Sequence, residues 1–401
     1  TTLFRSSSVT GEGIEKFIEI LDEFCTKIPS RSSAGLFRLP VDRVFTMKGF
    51  GTVITGTLVS GSVSVGDNVM LFPSRISAKV RGLQVHNQSV ATAEAGMRTA
   101  INFQGLEKYA VNRGDVLSVP GALSPGYMLD IHLSYLGSNK NPLKNRRQVR
   151  FHSGTSETLG LLILLDRDEL APGESSVAQL RLDSPVALLK DDRFVIRSYS
   201  PVRTIGGGVV LNPLPMKHRR FKPEVVDGLE GLRKWPAEEI ISYHARESGF
   251  KGVSFSELKI MTNVGEKELA GLLQQLMSQK EIILVDRENR LYIHGITLDE
   301  LKSQTQEYLA RFHEKNPLKA GMFREELKSR LPKTIGAKLF NLLLNQMIKD
   351  EEIVQEGDIV RLKSHKISLK ADQTQIRDKL IKIYEEAGLM PPNFKEIGRA
   401  S

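Results

Sequence analysis

Residues 51–67 read Gly51-Thr-Val-Ile-Thr-Gly56-Thr-Leu-Val-Ser-Gly61-Ser-Val-Ser-Val-Gly66-Asp67, with glycine at every fifth position and mainly β-branched residues between. This spacing is too regular for an amphipathic helix, whose apolar residues recur three and four positions apart. Valine and isoleucine favour extended chain, and glycine permits sharp turns and close backbone approach. The stretch therefore predicts short, tightly turning strands of a small β-barrel.

Similar β-branched runs extend on both sides of this stretch, from Gly35 to about Pro215. We predict a first set of strands at Leu36–Phe45, Val69–Phe72, Lys79–His86, Arg98–Phe103 and Val116–Val119. A second set follows Ser124-Pro125-Gly126, at Tyr127–Leu136, Gln148–Ser153, Thr158–Leu165, Ser175–Leu182, Arg193–Arg197 and Gly208–Leu211. Two successive antiparallel barrels are the economical interpretation, because closing a sheet removes its exposed edges.

The pattern becomes helical after a basic linker at 217–222, and the helical part repeats. Phe255-Ser-Glu-Leu-Lys259 resembles Phe323-Arg-Glu-Glu-Leu-Lys328, and each copy ends in a short hairpin, at 282–293 and 353–363. Helices followed by a two-stranded wing are typical of winged-helix domains. Phe394-Lys-Glu-Ile397 begins a third copy shortly before the last residue, so we expect a unit that is started and not finished.

The first 28 residues look like the tail of a domain whose body is absent. Ile14, Phe17, Ile18, Leu21 and Phe24 recur at helical spacing, which predicts an amphipathic helix with one buried face. Ser8 or Thr10 is expected to cap this helix, and residues 29–35 are expected to form a linker. The expected domains are 1–28, 29–123, 124–216, 217–296, 297–365 and 366–401.

Composition excludes several classes of protein. The longest strongly apolar run, Leu159–Leu165, is far shorter than the ~20 residues that cross a bilayer. The one cysteine, Cys25, excludes an internal disulfide framework or a CxxC-type zinc site, fits a reducing cytoplasm, and is expected to be partly buried. Lys and Arg number 56 against 47 Asp and Glu. This basic excess makes a nucleic-acid partner plausible.

The usual catalytic motifs are missing from the sequence. It contains no GxSxG, no HExxH and no GxxxxGK[ST], so it lacks the loop that binds a triphosphate. Asn139-Lys140-Asn141-Pro142 resembles a guanine-reading NKxD motif, but proline replaces the aspartate. Gly206–Gly208 is predicted to be a barrel turn and not a dinucleotide-binding loop, because no helix follows it. We expect the chain alone to hydrolyse nothing, and we expect it to bind no metal.

The β region and its neighbours resemble a known family. Gly51–Asp67 with Asn112-Arg-Gly-Asp115 resembles the second domain of translational GTPases, and Phe194-Val-Ile-Arg197 with Arg203-Thr-Ile-Gly-Gly-Gly208 resembles the end of the third domain of elongation factor Tu. Ser7-Ser8-Val9 resembles the last guanine-contacting motif, with Ser8 where alanine is commoner. Two barrels followed by winged helices resemble one family, the bacterial selenocysteine-specific elongation factors (SelB).

This resemblance implies a function for the complete protein. It would be a monomeric, cytoplasmic GTPase using GTP and Mg²⁺, with Ser7, Ser8 and Val9 as the remnant of the nucleotide site. It would carry selenocysteinyl-tRNA to the ribosome at UGA codons, directed by an mRNA hairpin that a terminal winged helix binds. The two complete winged helices would act mainly as a spacer. The chain itself would need no cofactor and would have no membrane partner.

The resemblance also implies residues for the aminoacyl pocket, namely Asp42, Arg43 and Arg98. Selenocysteine is more acidic than cysteine, whose thiol titrates near ~8.5, so its side chain is a selenolate at neutral pH. Fixed cations would favour that anion over the hydroxyl of a seryl precursor. The alternative is that Asp42 and Arg43 are exposed charges at a strand end.

Contacts with the body of the tRNA are expected on a loop and strand of the second barrel. The candidates there are Lys140, Lys144, Arg146, Arg147 and Arg150, since phosphate contact needs positive charge at suitable spacing. A solvated loop is an equally weighted alternative. Two other function classes stay open at this point: a different tRNA-carrying factor, of the elongation factor Tu or initiation factor gamma type, and a winged-helix regulator that binds duplex DNA.

Overall fold

The computed structural model describes residues 5–28, 35–47, 51–104, 107–365 and 371–388. It divides into two compact units, Thr1–Ile241 with Ser256–Leu272, and Ser242–Phe255 with Leu273–Ser401. Most of the predicted linker at 29–35 and the third repeat at 394–397 lie outside the described residues. Over the described ranges, no helix is both long and apolar enough to cross a membrane.

Helix α1, Ile14–Lys27, is amphipathic as predicted, but its expected cover is not among the described residues. Phe17, Ile18, Leu21 and Phe24 are 41–54% exposed. Neither Ser8 nor Thr10 caps the helix; Gly13 does, with φ +73°, and it supplies no side chain. Thr10 Oγ1 instead accepts the Glu12 amide proton at 3.4 Å, so this hydroxyl bonds within the preceding turn and not to the first amides of the helix. Cys25 is exposed, not partly buried.

The first barrel is closed by six antiparallel strands, as predicted. Around the ring the order is β4-β9-β1-β2-β8-β5, and β4 pairs with both β9 and β5. Fully buried residues such as Leu39, Ile54 and Ile101 fill the interior. The strands are β1 Arg38–Met47, β2 Gly51–Thr57, β3 Ser62–Ser64, β4 Asn68–Phe72, β5 Ile76–Val85, β6 Gln88–Val90, β7 Thr92–Glu94, β8 Arg98–Gln104 and β9 Val116–Ser118.

The second barrel closes in the order β10-β15-β13-β12-β16-β17. Its strands are β10 Gly126–Tyr135, β11 Leu143–Lys144, β12 Arg147–Ser153, β13 Ser156–Leu164, β14 Glu169–Leu170, β15 Ser175–Val186, β16 Arg193–Ser198 and β17 Thr204–Asn212. Gly206–Gly208 lies inside β17, so the predicted turn is wrong. A Cβ at Gly208 would lie 1.9 Å from the carbonyl oxygen of His132 on β10. Glycine is needed there for close approach of two strands, not for a turn.

The basic linker after the second barrel is anchored to that barrel. His218 Nε2 lies 2.8 Å from Oδ2 of the buried Asp130, and Arg220 Nε donates to the Leu164 carbonyl at 2.7 Å. The Phe221 amide donates to the Leu165 carbonyl, also at 2.7 Å. Arg220 therefore has a structural role, since it holds the linker on the second barrel.

Two winged-helix units follow, and each has the order helix, strand, helix, helix, strand, strand. Their three-stranded sheets have equivalent orders, β18-β20-β19 and β21-β23-β22, which confirms the repeat. The elements are α2 Pro223–Lys234, α3 Ala237–Glu247, β18 Val253–Ser254, α4 Phe255–Thr262, α5 Glu266–Ser278, β19 Ile282–Asp286, β20 Leu291–His294, α6 Gly295–Lys315, β21 Met322–Phe323, α7 Arg324–Arg330, α8 Ala337–Lys349, β22 Ile353–Glu356, β23 Ile359–Leu362 and α9 Ala371–Ala387.

Candidate functional site

A β-bulge brings the predicted charged residues to the outer surface of the first barrel. In the β1–β2 ladder Val41 pairs with Gly56 and Arg43 pairs with Thr55, so Asp42 is the extra residue. Val41 and Val44 both pack against the barrel core, although residues three apart on a regular strand face opposite sides. The bulge resolves this conflict by inserting one residue, and the two charged residues between the valines stay out of the core.

Asp42 is the centre of a small polar network on this surface. Arg98 Nη1 donates to Asp42 Oδ2 at 2.5 Å, and Nη2 donates to Oδ1 at 3.2 Å. Thr55 Oγ1 donates to the same Oδ1 at 2.6 Å. The Asp42 side chain is 21% exposed and that of Arg98 is 53% exposed. The predicted pair is therefore brought together, and Thr55 is a third member that the sequence analysis did not identify.

Arg43 differs from Arg98 in having no partner among the described residues. Its side chain is exposed, and it makes no ion pair or hydrogen bond with any part of the chain that the structure describes. It lies directly opposite Thr55, while Arg98 lies opposite Thr57 on the other edge of β2. Directly opposed residues and residues two apart on one strand share a face of the sheet. The unpaired cation and the ion pair therefore lie on one face.

A pocket of about 190 Å³ opens further along the same face of β8. Outward residues of β8 alternate with the buried Thr99 and Ile101. The outward residues are Arg98, Ala100 and Asn102, and of these Ala100 and Asn102 line the pocket. A second bulge, between Val80 and Gly82, lies at its edge. The lining combines apolar and hydrogen-bonding groups: Met47, Val53, Arg81, Gly82, Leu83, Gln84, Ser89, Ala100 and Asn102.

The basic candidates on the second barrel separate into two groups. Lys144 and Arg147 line a pocket of about 260 Å³ at one end of the barrel, together with Arg203, which the sequence analysis did not single out. Burial raises the pKa of the Tyr135 hydroxyl at this pocket, and the nearby positive charges of Arg203 and Arg147 partly oppose that rise. The remaining lining residues are Tyr135, Asn141, Pro142, Leu143, Ser198 and Ile205.

The other candidates do not line this pocket. Arg150 bonds Glu157 at 2.9 Å and lies over the Tyr199 ring, so it is engaged within the barrel. Lys140 and Arg146 are exposed on the connecting segments, and Arg146 sits in a turn with φ +60°. Lys144, which does line the pocket, has its Nζ 3.7 Å from Glu169 Oε1, and this ion pair is exposed and therefore weak.

The remnant motif Ser7-Ser8-Val9 forms a turn before α1. The Ser7 amide donates to the Glu12 carbonyl at 2.9 Å, and Val9 is 94% exposed. Within the described residues, its contact with a nucleotide stays a prediction. The same ranges contain no group of three His, Cys, Asp or Glu side chains arranged for a metal.

One constellation resembles a hydrolase site but does not have its chemistry. Ser242 Oγ lies 3.2 Å from His294 Nε2 and donates to Glu281 Oε1. His294 Nδ1 accepts the Ile296 amide proton at 3.1 Å, so a neutral imidazole carries its proton on Nε2. Burial lowers the His294 pKa, which favours that neutral form. His294 therefore donates to Ser242 and cannot act as its base.

Three stretches of the chain match models of known protein families. Residues 51–118 match the family model for elongation factor Tu domain 2. Residues 131–217 match the beta-barrel domain of the selenocysteine-specific elongation factor, and residues 306–362 match a winged helix of elongation factor SelB.

Relatives match along nearly the whole chain. The selenocysteine-specific elongation factor of Desulfomicrobium baculatum is 39% identical over 389 residues, which are 97% of this chain and 61% of that protein. The Escherichia coli factor of the same name is 29% identical over 384 residues, 94% of this chain and 58% of that protein. A crystal structure of a bacterial selenocysteine-specific elongation factor has the same fold, with a TM-score of 0.67 at 24% identity over 98% of this chain and 61% of that one.

The chain thus spans about three fifths of the length of these relatives. The same domains occur in the same order, and the identity to the first relative extends from one end of the chain almost to the other. We conclude that the chain belongs to the family of the selenocysteine-specific elongation factors.

Proposed function

We propose that this chain is the tRNA-binding body of a translation factor that carries selenocysteinyl-tRNA to the ribosome at UGA codons. The observation that supports this best is Arg43, an exposed guanidinium that has no partner among the described residues and shares a face with the Asp42–Arg98 ion pair. A charge-assisted hydrogen bond to a selenolate contributes ~1.5–3 kcal/mol, whereas a seryl hydroxyl offers no anion. That difference corresponds to roughly tenfold to 150-fold preference.

The neighbouring pocket on the first barrel has the character needed for the end of the tRNA. It lies on the same face as Arg43 and Arg98, so an aminoacyl group at the arginines leaves the adjoining nucleoside near the pocket. The flat ring of a base requires apolar walls, which Met47, Val53 and Leu83 supply. Hydrogen-bonding groups at the rim, such as Gln84 and Ser89, suit base edges and ribose hydroxyls.

The basic pocket of the second barrel would hold the tRNA body. Lys144, Arg147 and Arg203 converge on one cavity whose lining contains no carboxylate. Arginine binds phosphate with a planar fork, and each such contact releases about one counterion from the RNA. Lys140, Arg146 and Arg150 remain candidates for outer contacts, with Arg150 the weakest because it is already engaged.

GTP and Mg²⁺ would be bound by the complete protein, with Ser7, Ser8 and Val9 at the edge of the nucleotide site. Their position in an exposed turn is compatible with a ligand approaching from outside. An mRNA hairpin would be bound by a further winged helix, and the two described here would act as a spacer. A groove-reading role is disfavoured for α8, since Lys338 near its start bonds Asp286 at 2.8 Å and Glu288 at 2.8 Å.

The proposal is tested by tRNA titrations of the complete protein in its GTP form. Selenocysteinyl-tRNA and seryl-tRNA share one tRNA body, so the ratio of their Kd values isolates the aminoacyl end. Arg43→Ala should weaken the binding of selenocysteinyl-tRNA by ~1.5–3 kcal/mol and the binding of seryl-tRNA by less than ~0.5 kcal/mol. Arg113→Ala, at an exposed arginine in the same barrel, is the matched control and should leave the ratio unchanged. Equal losses for both tRNAs with Arg43→Ala would refute the proposal.

A further inference from the structure

Thr55 contacts the carboxylate that pairs with Arg98, and it lies opposite Arg43 on the neighbouring strand. Thr55 is directly opposite Arg43 in the β1–β2 ladder, and its Oγ1 donates to Asp42 Oδ1 at 2.6 Å. Asp42 Oδ1 also accepts from Arg98 Nη2, and Oδ2 accepts from Arg98 Nη1. One carboxylate therefore receives three hydrogen bonds, two from an arginine and one from a neutral hydroxyl.

The sequence does not show whether Asp42 pairs with Arg43 or with Arg98, and in the structure it pairs with Arg98. Asp42 is adjacent to Arg43 along the chain, and at a bulge both side chains stay outside the core. An ionised carboxylate has about four acceptor positions and can pair with either arginine. A cation that is paired with Asp42 has less charge to offer an anionic ligand, so the choice of partner decides which arginine is available.

We propose that Thr55 is a positioning residue that commits Asp42 to Arg98 and thereby keeps Arg43 free for the anionic side chain of the ligand. Thr55 holds Oδ1 with a donor that carries no charge, which turns the carboxylate toward Arg98. Arg98 then serves chiefly to fix Asp42, and Arg43 binds the anion. This inference rests on the proposed function, because it takes the ligand to be a selenolate.

A purely structural role for Thr55 predicts something different. Threonine is common in strands because it is β-branched, and valine satisfies that preference equally well. Thr57 is the next residue on the same face of β2, and its exposed hydroxyl has no bond to any residue in the described ranges. The strand therefore does not require a threonine hydroxyl at each outward position, and Thr57 provides a matched control.

The test compares Thr55→Val, Thr55→Ser and Thr57→Val in the complete protein, with selenocysteinyl-tRNA and seryl-tRNA as ligands. Thr55→Val removes the hydroxyl at nearly constant shape and should raise the Kd for selenocysteinyl-tRNA about threefold to tenfold. The Kd for seryl-tRNA should change less than about twofold. Thr55→Ser keeps the donor and should retain the preference, and Thr57→Val should resemble the unchanged protein.

A double variant separates positioning from general damage to the site. If Thr55 acts through Arg43, Thr55→Val should not reduce the preference further once Arg43 is alanine. An equal loss for both tRNAs, an unchanged preference with Thr55→Val, or additive effects in the double variant would each overturn the inference. A different outcome would identify failure of the proposed function: the unchanged protein would then show no preference for selenocysteinyl-tRNA over seryl-tRNA.

Discussion

Arg38 of the first barrel and Asp192 of the second form a two-pronged ion pair. Arg38 Nη1 lies 2.6 Å from Asp192 Oδ2, and Nη2 lies 2.8 Å from Oδ1. The side chains are only 14% and 16% exposed, and Oδ2 also accepts the Leu189 amide proton at 2.8 Å. Such a pair fixes orientation as well as distance. It therefore helps to fix the spacing between Arg43 and Arg98 of the first barrel and the basic pocket of the second. Under the proposed function, one tRNA would contact both.

Removing half of this pair should destabilise the two-barrel body. Arg38→Ala leaves the Asp192 carboxylate largely buried without its partner, and we expect a loss of about 2–4 kcal/mol in the free energy of unfolding. Urea denaturation followed by circular dichroism measures this. Lys363→Ala removes an exposed ion pair with Glu351 and should cost less than about 0.5 kcal/mol. A loss no larger than this control would show that the barrels are held by other contacts.

The strand position of Gly208 gives a second prediction. Gly208→Ala places a Cβ 1.9 Å from the His132 carbonyl oxygen, so β17 must move away from β10. We expect a loss of about 3 kcal/mol or more, at the upper end of the cost of overpacking. Gly82→Ala on β5 is the control, since no atom lies within 4 Å of the added Cβ. Thermal unfolding of both variants decides the matter, and equal midpoints would contradict the close-approach explanation.

These glycines also show where prediction from the sequence reached its limit. Short glycine-punctuated strands were correctly predicted because both uses of glycine accompany β-structure. Gly66, with φ +96°, forms a turn, whereas a Cβ at Gly56 would meet the Pro40 carbonyl at 2.3 Å inside a strand. The two uses have the same local sequence signal. Only the neighbouring strand distinguishes them, and for this reason Gly206–Gly208 was wrongly predicted to be a turn.

The candidate site was predictable only in part, for a similar reason. Family resemblance pointed to Asp42, Arg43 and Arg98, but adjacent strand residues normally face opposite sides, so nothing placed the first two together. The available signal was the spacing of Val41 and Val44, three apart and both in the core, which requires a bulge. Thr55 and Arg203 carry no such signal, because their partners are distant in sequence.

His313 should make the second winged helix sensitive to acid. Its ring is stacked on that of His365, with the ring centroids 3.7 Å apart, and its Nε2 accepts the Leu362 amide proton at 3.2 Å. Burial, with His365 and Arg361 nearby, lowers the His313 pKa to about 4. Between about pH 6.5 and 4 the unfolded chain binds a proton that the folded one does not, so stability falls as the pH falls through this window. Melting curves across it test this, and His313→Gln should flatten the dependence.

The basic pocket of the second barrel should act on every tRNA alike. If Arg147 and Arg203 each contact a phosphate, as proposed, Arg147→Ala or Arg203→Ala should reduce the slope of log Kd against log salt by ~0.7–0.9. The loss should be the same for selenocysteinyl-tRNA, seryl-tRNA and deacylated tRNA. Arg193→Ala, at the opposite end of β16 from Ser198 and outside the pocket lining, is the control and should leave the slope unchanged. Unchanged slopes for Arg147→Ala and Arg203→Ala would exclude this pocket as a contact.

Cysteinyl-tRNA offers a test in which the charge of the ligand is varied by pH alone. A cysteine thiol titrates near ~8.5, so its side chain changes from neutral to anionic between about pH 7 and pH 9.5. If Arg43 binds the anion, cysteinyl-tRNA should gain about tenfold in affinity over this range, and the gain should disappear in Arg43→Ala. The selenocysteine side chain is already anionic at pH 7, so its contribution to the affinity should stay constant.

Each affinity is divided by that of seryl-tRNA at the same pH, which cancels the titration of the amino group that the ligands share. Association and dissociation rates measured by stopped flow give the values before the ester hydrolyses. A pH-independent ratio of cysteinyl-tRNA to seryl-tRNA would mean that the site recognises the size or polarisability of selenium and not its charge.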